Sequence, residues 1–171
     1  VVSTLTPGLV YATDGARFGK ALQATLDDSV EVVLSHGSIE GRITTLFDDL
    51  RATVVTPAVD AAMHATGPGP IVKFLFTSGS TKLPKPVINT QRMWCANLQQ
   101  ITLSLPVLTE APPVLIDWLP WNHTFGSNHN VGITLQHGGT LYIDDGKPTA
   151  GAIGETLRNL REIAPTVYFN V

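Results

Sequence analysis

Between Thr77 and Lys85 the chain reads Thr-Ser-Gly-Ser-Thr-Lys-Leu-Pro-Lys. Four hydroxyl side chains (Thr77, Ser78, Ser80, Thr81), one glycine (Gly79) and two lysines (Lys82, Lys85) fall within nine residues. Hydroxyls and free backbone N–H groups donate to anionic oxygens, Gly79 lets the chain turn without a Cβ clash, and a lysine neutralises the guest. The guest that suits such a cradle is a polyphosphate. The run before it, Ile71-Val72-Lys73-Phe74-Leu75-Phe76, reads as a strand. Pro84 and Pro86 stiffen the exit. The competing reading is a Ser/Thr/Gly turn between strand and helix that binds nothing. Hydroxyl, glycine and lysine coinciding at one spacing favour phosphate.

A second chemical stretch runs from Leu119 to Asn130, Leu-Pro-Trp-Asn-His-Thr-Phe-Gly-Ser-Asn-His-Asn. It follows the strand-like run Val114–Leu119, and open α/β sheets place ligands at the carboxyl ends of their strands. His123 offers a donor and an acceptor near neutral pH. Trp121 and Phe125 are suited to an aromatic pocket and equally to a core. His123 and His129 are six residues apart, which fits no common metal-ligand spacing, so no metal site is expected.

These two stretches carry a family resemblance. Phe76, Thr77, Ser78, Gly79, Ser80, Thr81, Pro84 and Lys85 match in order the phosphate-binding signature of the adenylate-forming enzymes, the acyl-CoA synthetases and their relatives. Lys82 and Pro86 stand where that signature has glycines. Leu119-Pro120-Trp121-Asn122-His123-Thr124-Phe125-Gly126 resembles the family's Leu-Pro-x-x-His-x-x-Gly segment. The Thr81-Lys82-Leu83-Pro84-Lys85 variant is similar to the feruloyl-CoA synthetase branch, which activates hydroxycinnamic acids. The resemblance implies an ATP-dependent carboxylate–CoA ligase with ATP, Mg²⁺ and CoA as cofactor and co-substrates. It implies that Thr77, Ser78, Gly79, Ser80, Thr81, Lys82 and Lys85 hold phosphate. It also implies that Lys85 supplies charge in catalysis and that Trp121, His123 and Phe125 line the carboxylate pocket.

The rest of the chain reads as the scaffold for those stretches. Hydrophobic residues make up 43% of the 171 and charged ones only 15%, enough for one domain with a sizeable core. A net charge of −3 offers no nucleic-acid footprint. The single Cys95 excludes an internal disulfide framework, fits a reducing, cytoplasmic setting, and reads as a buried structural thiol. No apolar run reaches the ~20 residues of a membrane span. Strand-like Leu9–Ala12, helical spacing at Phe18, Leu22 and Leu26, and strand-like Val30–Leu34 give a β-α-β opening. The segments 43–51 and 58–63 read as short helices, and Gly67-Pro68-Gly69-Pro70 as a linker within an expected continuous fold, the alternative being a subdomain break there. Thr90 reads as the cap of a helix whose stripe is Trp94, Leu98, Ile101 and Leu105. Strands at 140–143 and 166–169 enclose a last helix at Leu157, Leu160 and Ile163. The expected fold class is therefore α/β, a largely parallel sheet flanked by helices, with the phosphate loop after a central strand.

Other chemistries are ruled down. There is no Gly-Lys-Ser/Thr for a Walker A loop, no G-x-S-x-G elbow and no G-x-G-x-x-G after the first strand. Beside the ligase reading stands a non-catalytic nucleotide-binding or interaction module that kept the phosphate loop. The family's later motifs do not occur here, which reads as part of a large N-terminal domain. The isolated 171-residue chain is accordingly expected neither to adenylate nor to form a thioester, and to self-associate through exposed apolar edges. Incubating it with ATP, Mg²⁺, CoA and a panel of carboxylic acids while following pyrophosphate checks this. Sustained turnover would place a complete site within these residues.

Overall fold

The computed structural model describes residues 1–77 and 84–170. They form two compact units, residues 1–65 and 66–171.

The first unit opens with a one-turn helix α1 (Val2–Leu5) and then a β-α-β arrangement. Strand β1 (Leu9–Asp14) leads into helix α2 (Gly15–Thr25), and β2 (Glu31–His36) returns beside β1 in parallel register, Leu9 opposite Glu31 and Ala12 opposite Leu34. Asp14 starts α2 because its carboxylate accepts from the N–H groups of Ala16 and Arg17, at 2.8 and 3.2 Å. Val32, Val33 and Leu34 are buried almost completely in β2, each contributing about 1.5–3 kcal/mol of apolar burial. Leu26, Val32, Leu34 and Ile39 form the core of this unit, with Val10 and Leu22 against it. A two-residue strand β3 (Thr45–Leu46) pairs with β2 in parallel, and two short helices follow, α3 (Phe47–Arg51) and α4 (Pro57–His64). The helix expected from Ile43 thus begins four residues later: Thr45 and Leu46 pair with the sheet, and Ile43 lies in solvent.

In the second unit, β4 (Ile71–Thr77) and β5 (Lys85–Thr90) pair antiparallel as the two arms of a hairpin, Phe74 opposite Ile88 and Thr77 opposite Lys85. This corrects one expectation. The strand before the phosphate loop is not a central strand of a parallel sheet but one of an antiparallel pair. Val87 and Ile88 are β-branched and suit a strand, while Pro86 is tolerated because the hairpin has only edges. Helix α5 (Gln91–Ser104) starts directly after β5. Its first N–H groups are satisfied in turn: Gln91 and Arg92 donate to the carbonyls of Pro70 and Pro68, and Met93 donates to the Thr90 hydroxyl. The Gly-Pro-Gly-Pro stretch therefore closes the base of the hairpin.

After a short 3₁₀ turn (Pro106–Thr109), β6 (Val114–Asp117) runs parallel to β7 (Thr140–Ile143). Between them lie a π-helix, Phe125–Val131, and α6 (Gly132–Gln136). Helix α7 (Ile153–Ile163) closes the chain. Leu98, Leu108, Leu115 and Ile133 form the core, with Trp94, Ile101, Leu105 and Leu141 packed against it. The expected last strand reduces to a single parallel bridge between Leu115 and Val167. The reason is local: the Val114 N–H is taken by the Thr166 hydroxyl at 2.9 Å rather than by a ladder carbonyl. Cys95 is exposed on α5, contrary to the buried thiol expected, because the buried stripe runs through Leu98 instead.

Asp144, just after β7, is a buried carboxylate with its acceptors filled. Oδ1 accepts from Gly146 N–H and Asn159 Nδ2, both at 2.8 Å, and Oδ2 accepts from the Thr156 hydroxyl at 2.7 Å. Burial alone raises its pKa, but the hydrogen bonds from Thr156, Gly146 and Asn159 outweigh it and leave the value below the ordinary 3.8. The folded state thus prefers the ionised form. That contribution is fully present above pH 3.8 and is lost as pH falls through the lowered folded value. We expect Asp144→Ala to cost about 2–4 kcal/mol, since it strands three donors in a buried place. Urea unfolding at neutral pH checks the magnitude. Repeating it down to pH 3 should show the difference between variant and wild type narrowing only at the acid end.

Candidate functional site

Two elements of the second unit converge on one cavity. The hairpin contributes Leu75, Phe76, Thr77 and Val87, and the segment after β6 contributes Asn122, His123 and Thr124. The cavity is about 310 Å³. Thr77, the first residue of the phosphate signature, and His123, the centre of the second motif, therefore line the same space. Lys85 is the first residue of β5, exposed and directly across the ladder from Thr77. Directly opposed residues of an antiparallel pair point to one face, with Cβ atoms about 4.5–5.5 Å apart. Ser78, Gly79, Ser80, Thr81 and Lys82 lie outside the described residues. Trp121 is half exposed, and neither Trp121 nor Phe125 is among the residues lining this cavity. Phe125 instead meets His129 edge-on at 5.0 Å between ring centres and approaches Phe169 at 6.4 Å.

The turn that presents His123 is built from the end of β6. Asp117 is buried, and its Oδ1 accepts from the Leu119 N–H at 2.9 Å, which turns the chain out of the strand. The Pro120 carbonyl accepts from the His123 N–H at 3.1 Å, and the His123 carbonyl accepts from Ser127 N–H at 2.9 Å. His123 Nδ1 is the acceptor for the Phe125 N–H at 3.4 Å. A neutral ring with Nδ1 accepting carries its proton on Nε2, so the side chain keeps one donor for a ligand. Gly126 is required for close approach here. A Cβ on it would sit 2.7 Å from the Pro120 carbonyl oxygen and 3.0 Å from that of Leu119.

Two positions along the ladder from the cavity-lining pair Leu75 and Val87 lies a polar layer, at Lys73 and Asn89, that the motifs did not disclose. Lys73 Nζ donates to the Ser127 hydroxyl at 2.8 Å and sits 3.8 Å from the centre of the Trp94 ring. Desolvation draws the Lys73 pKa below the ordinary lysine value. Asn128 Nδ2 donates to Asn89 Oδ1 at 2.8 Å, and Trp94 Nε1 donates to the Asn128 carbonyl at 2.9 Å. The available signal was Lys73 itself, a lone cation in an otherwise apolar strand. Asn122 and Thr124, which flank His123 in the same motif, also line the cavity.

A family model described as AMP-binding enzyme matches residues 6–171. The chain belongs to that family. Comparison with curated proteins gave no match. Among solved structures, the chain is similar to the Rhodopseudomonas palustris protein assigned as a long-chain-fatty-acid CoA ligase. That match has a TM-score of 0.71 at 19% identity, over 99% of this chain and 39% of that one. It is similar to the luciferase-like enzyme of the nonluminescent mealworm Zophobas morio, with TM-score 0.67, 17% identity, 99% of this chain and 37% of that one. It is also similar to a fatty acyl-adenylate ligase from L. pneumophila, solved with acyl adenylate and pyrophosphate. There the TM-score is 0.58 at 15% identity, over 90% of this chain and 27% of that one. Likeness at these identities shows the AMP-binding enzyme fold, and the chain spans well under half the length of each of these proteins.

In this member of the AMP-binding family, Gly126→Ala is expected to destabilise the second unit by about 1–3 kcal/mol, because the added methyl meets backbone carbonyls that cannot rotate away. Urea unfolding measures it. An unchanged midpoint would mean that the 119–126 turn relaxes freely.

Proposed function

We propose that the complete protein is an ATP-dependent carboxylate–CoA ligase of the feruloyl-CoA synthetase type, acting on a hydroxycinnamic acid in the cytoplasm. The observation that carries the reading is the shared cavity of Thr77 and His123, with Lys85 opposite Thr77. A phosphate-type and a carboxylate-type motif border one space, as joining those two substrates demands. In the first half-reaction a carboxylate oxygen attacks the α-phosphorus of ATP, the bond to pyrophosphate breaks, and pyrophosphate carries away the electron pair. In the second, the CoA sulfur attacks the acyl carbon and AMP leaves.

The charge that develops on the departing pyrophosphate must be met by donors already in place. Thr77 and the hydroxyls of Ser78, Ser80 and Thr81 are assigned to the phosphate oxygens, and Lys85, with Lys82 near it in sequence, to the charge. His123 and its neighbours Asn122 and Thr124 are assigned to the carboxylate end. Among the described residues no three of His, Cys, Asp and Glu gather to hold a metal ion. Mg²⁺ is assigned to the ATP phosphates, the usual way this ion is bound. No helix among the described residues is long and apolar enough to cross a membrane.

Lys85→Ala in the full-length protein is expected to lower the maximal rate of pyrophosphate release by roughly 10²–10³, with a smaller change in the carboxylate KM, because the lysine acts where charge develops. An unchanged maximal rate removes Lys85 from the chemistry. A panel of acids tests the substrate class: ferulate and coumarate should outpace medium-chain fatty acids, and the reverse order overturns the hydroxycinnamate assignment.

A further inference from the structure

The hairpin and the His123 segment are separate in sequence, yet catalysis between their ligands would need a spacing held to a fraction of an ångström. Two side-chain bonds span that gap. From β4, Lys73 reaches the hydroxyl of Ser127; from β5, Asn89 accepts from Asn128. Each arm of the hairpin is thus tied to one of two consecutive residues. Both lie in the π-helix, Phe125–Val131, that begins two residues after His123. A π-turn is wider than an α-turn and recurs at functional sites.

The chemistry of the Lys73 contact is costly if stability were its only purpose. Among the described residues no carboxylate pairs with this ammonium group. Its partners are a neutral hydroxyl and the face of Trp94. Lys73 is half-buried, and desolvation of its ammonium group disfavours the charged form with no carboxylate beside it among the described residues to offset this. What an apolar side chain cannot do is donate a directed hydrogen bond to Ser127. The same layer is anchored from below. Trp94 Nε1 donates to the Asn128 carbonyl, and Gly132 lets Trp94 and Leu98 close on the helix, a Cβ there lying 2.7 Å from both side chains.

We propose that Lys73 and Asn89 are positioning residues: through Ser127 and Asn128 they clasp the hairpin to the π-helix and set the spacing of Thr77 and His123 across the cavity. The inference rests on the cavity being the adenylate-forming site. Lys73 and Asn89 oppose each other in the ladder two positions from the cavity-lining pair Leu75 and Val87, and the Ser127 N–H donates to the His123 carbonyl, so the clasp is joined to both walls of the cavity through the backbone. Neither Lys73 nor Asn89 is among the residues lining the cavity.

The test uses the full-length protein with Lys73→Met, Lys73→Arg, Ser127→Ala and the Lys73→Met/Ser127→Ala double variant. Pyrophosphate release is followed against ATP and against the best acid of the panel, with urea unfolding alongside. Lys73→Met should keep the unfolding midpoint while the maximal rate falls roughly 10- to 100-fold, with the KM for ATP little changed. Lys73→Arg should restore most of the rate, since it keeps the cation and the donor. The double variant should be no slower than Lys73→Met alone. An unchanged rate in Lys73→Met, a loss that only follows the unfolded fraction, or fully additive losses overturns the clasp. A wild-type protein that releases no pyrophosphate with any acid refutes the functional reading instead. Hydrogen exchange then decides the clasp. Lys73→Met should speed exchange at 75–77 and 123–127 while β6 and β7 stay protected, and unchanged exchange at those amides overturns it.

Discussion

The antiparallel ladder between Ile71–Thr77 and Lys85–Thr90 is the constraint on which the candidate site depends. It brings Thr77 and Lys85 face to face, so the two ends of a loop rich in hydroxyls and lysine are held at a fixed separation. A ladder of backbone hydrogen bonds does this without spending the side chains that the chemistry needs. The base of the ladder is closed by groups that the helix start would otherwise leave unsatisfied. Gln91 and Arg92 N–H groups find the carbonyls of Pro70 and Pro68, and Thr90 caps Met93. Hairpin and helix α5 therefore form one continuous hydrogen-bonded unit.

The second constraint is polar matching next to the cavity. Apolar packing of Leu98, Leu115 and Ile133 holds the core together but is non-directional. Directed bonds supply the register: Asp117 to Leu119 at the exit of β6, Pro120 to His123 in the turn, Lys73 to Ser127 and Asn89 to Asn128 across the gap. Asp117 Oδ2, Asn128 Oδ1 and Asn130 Nδ2 are buried without partners among the described residues, so this layer holds more hydrogen-bonding capacity than the described contacts consume. Such a layer is expensive unless its members are oriented for use.

Both chemical motifs were legible because they are local. A phosphate cradle needs hydroxyls, a glycine and a cation within a few residues, and the run from Thr77 to Lys85 contains them whatever the fold around it. The parallel β-α-β opening was legible too, since the helical repeat of Phe18, Leu22 and Leu26 lies between two short β-branched, apolar runs, and Val32, Val33 and Leu34 are buried in the second. The capping role of Thr90 follows from its side chain and its place before a helical stripe. Cys95 was misread for a physical reason. One residue's shift around a helix moves a side chain by about 100°, and the stripe through Trp94 and Leu98 leaves Cys95 facing solvent.

The sequence by itself determined the chemistry available, a hydroxyl- and lysine-rich loop and a histidine turn, together with the α/β class. It determined them because residue type, spacing and periodicity act over a few residues. Only the tertiary structure decided that the phosphate strand folds back as a hairpin, since the two β-branched residues Val87 and Ile88, between Pro86 and the helix cap Thr90, are too short a run to name a strand or its partner. Only it decided that Thr77 and His123, 46 positions apart, share one cavity. Only it turned Lys73 from one residue of a strand into the donor for Ser127, 54 positions away. Such pairings depend on which faces meet once the core closes, and no window of local sequence contains both partners.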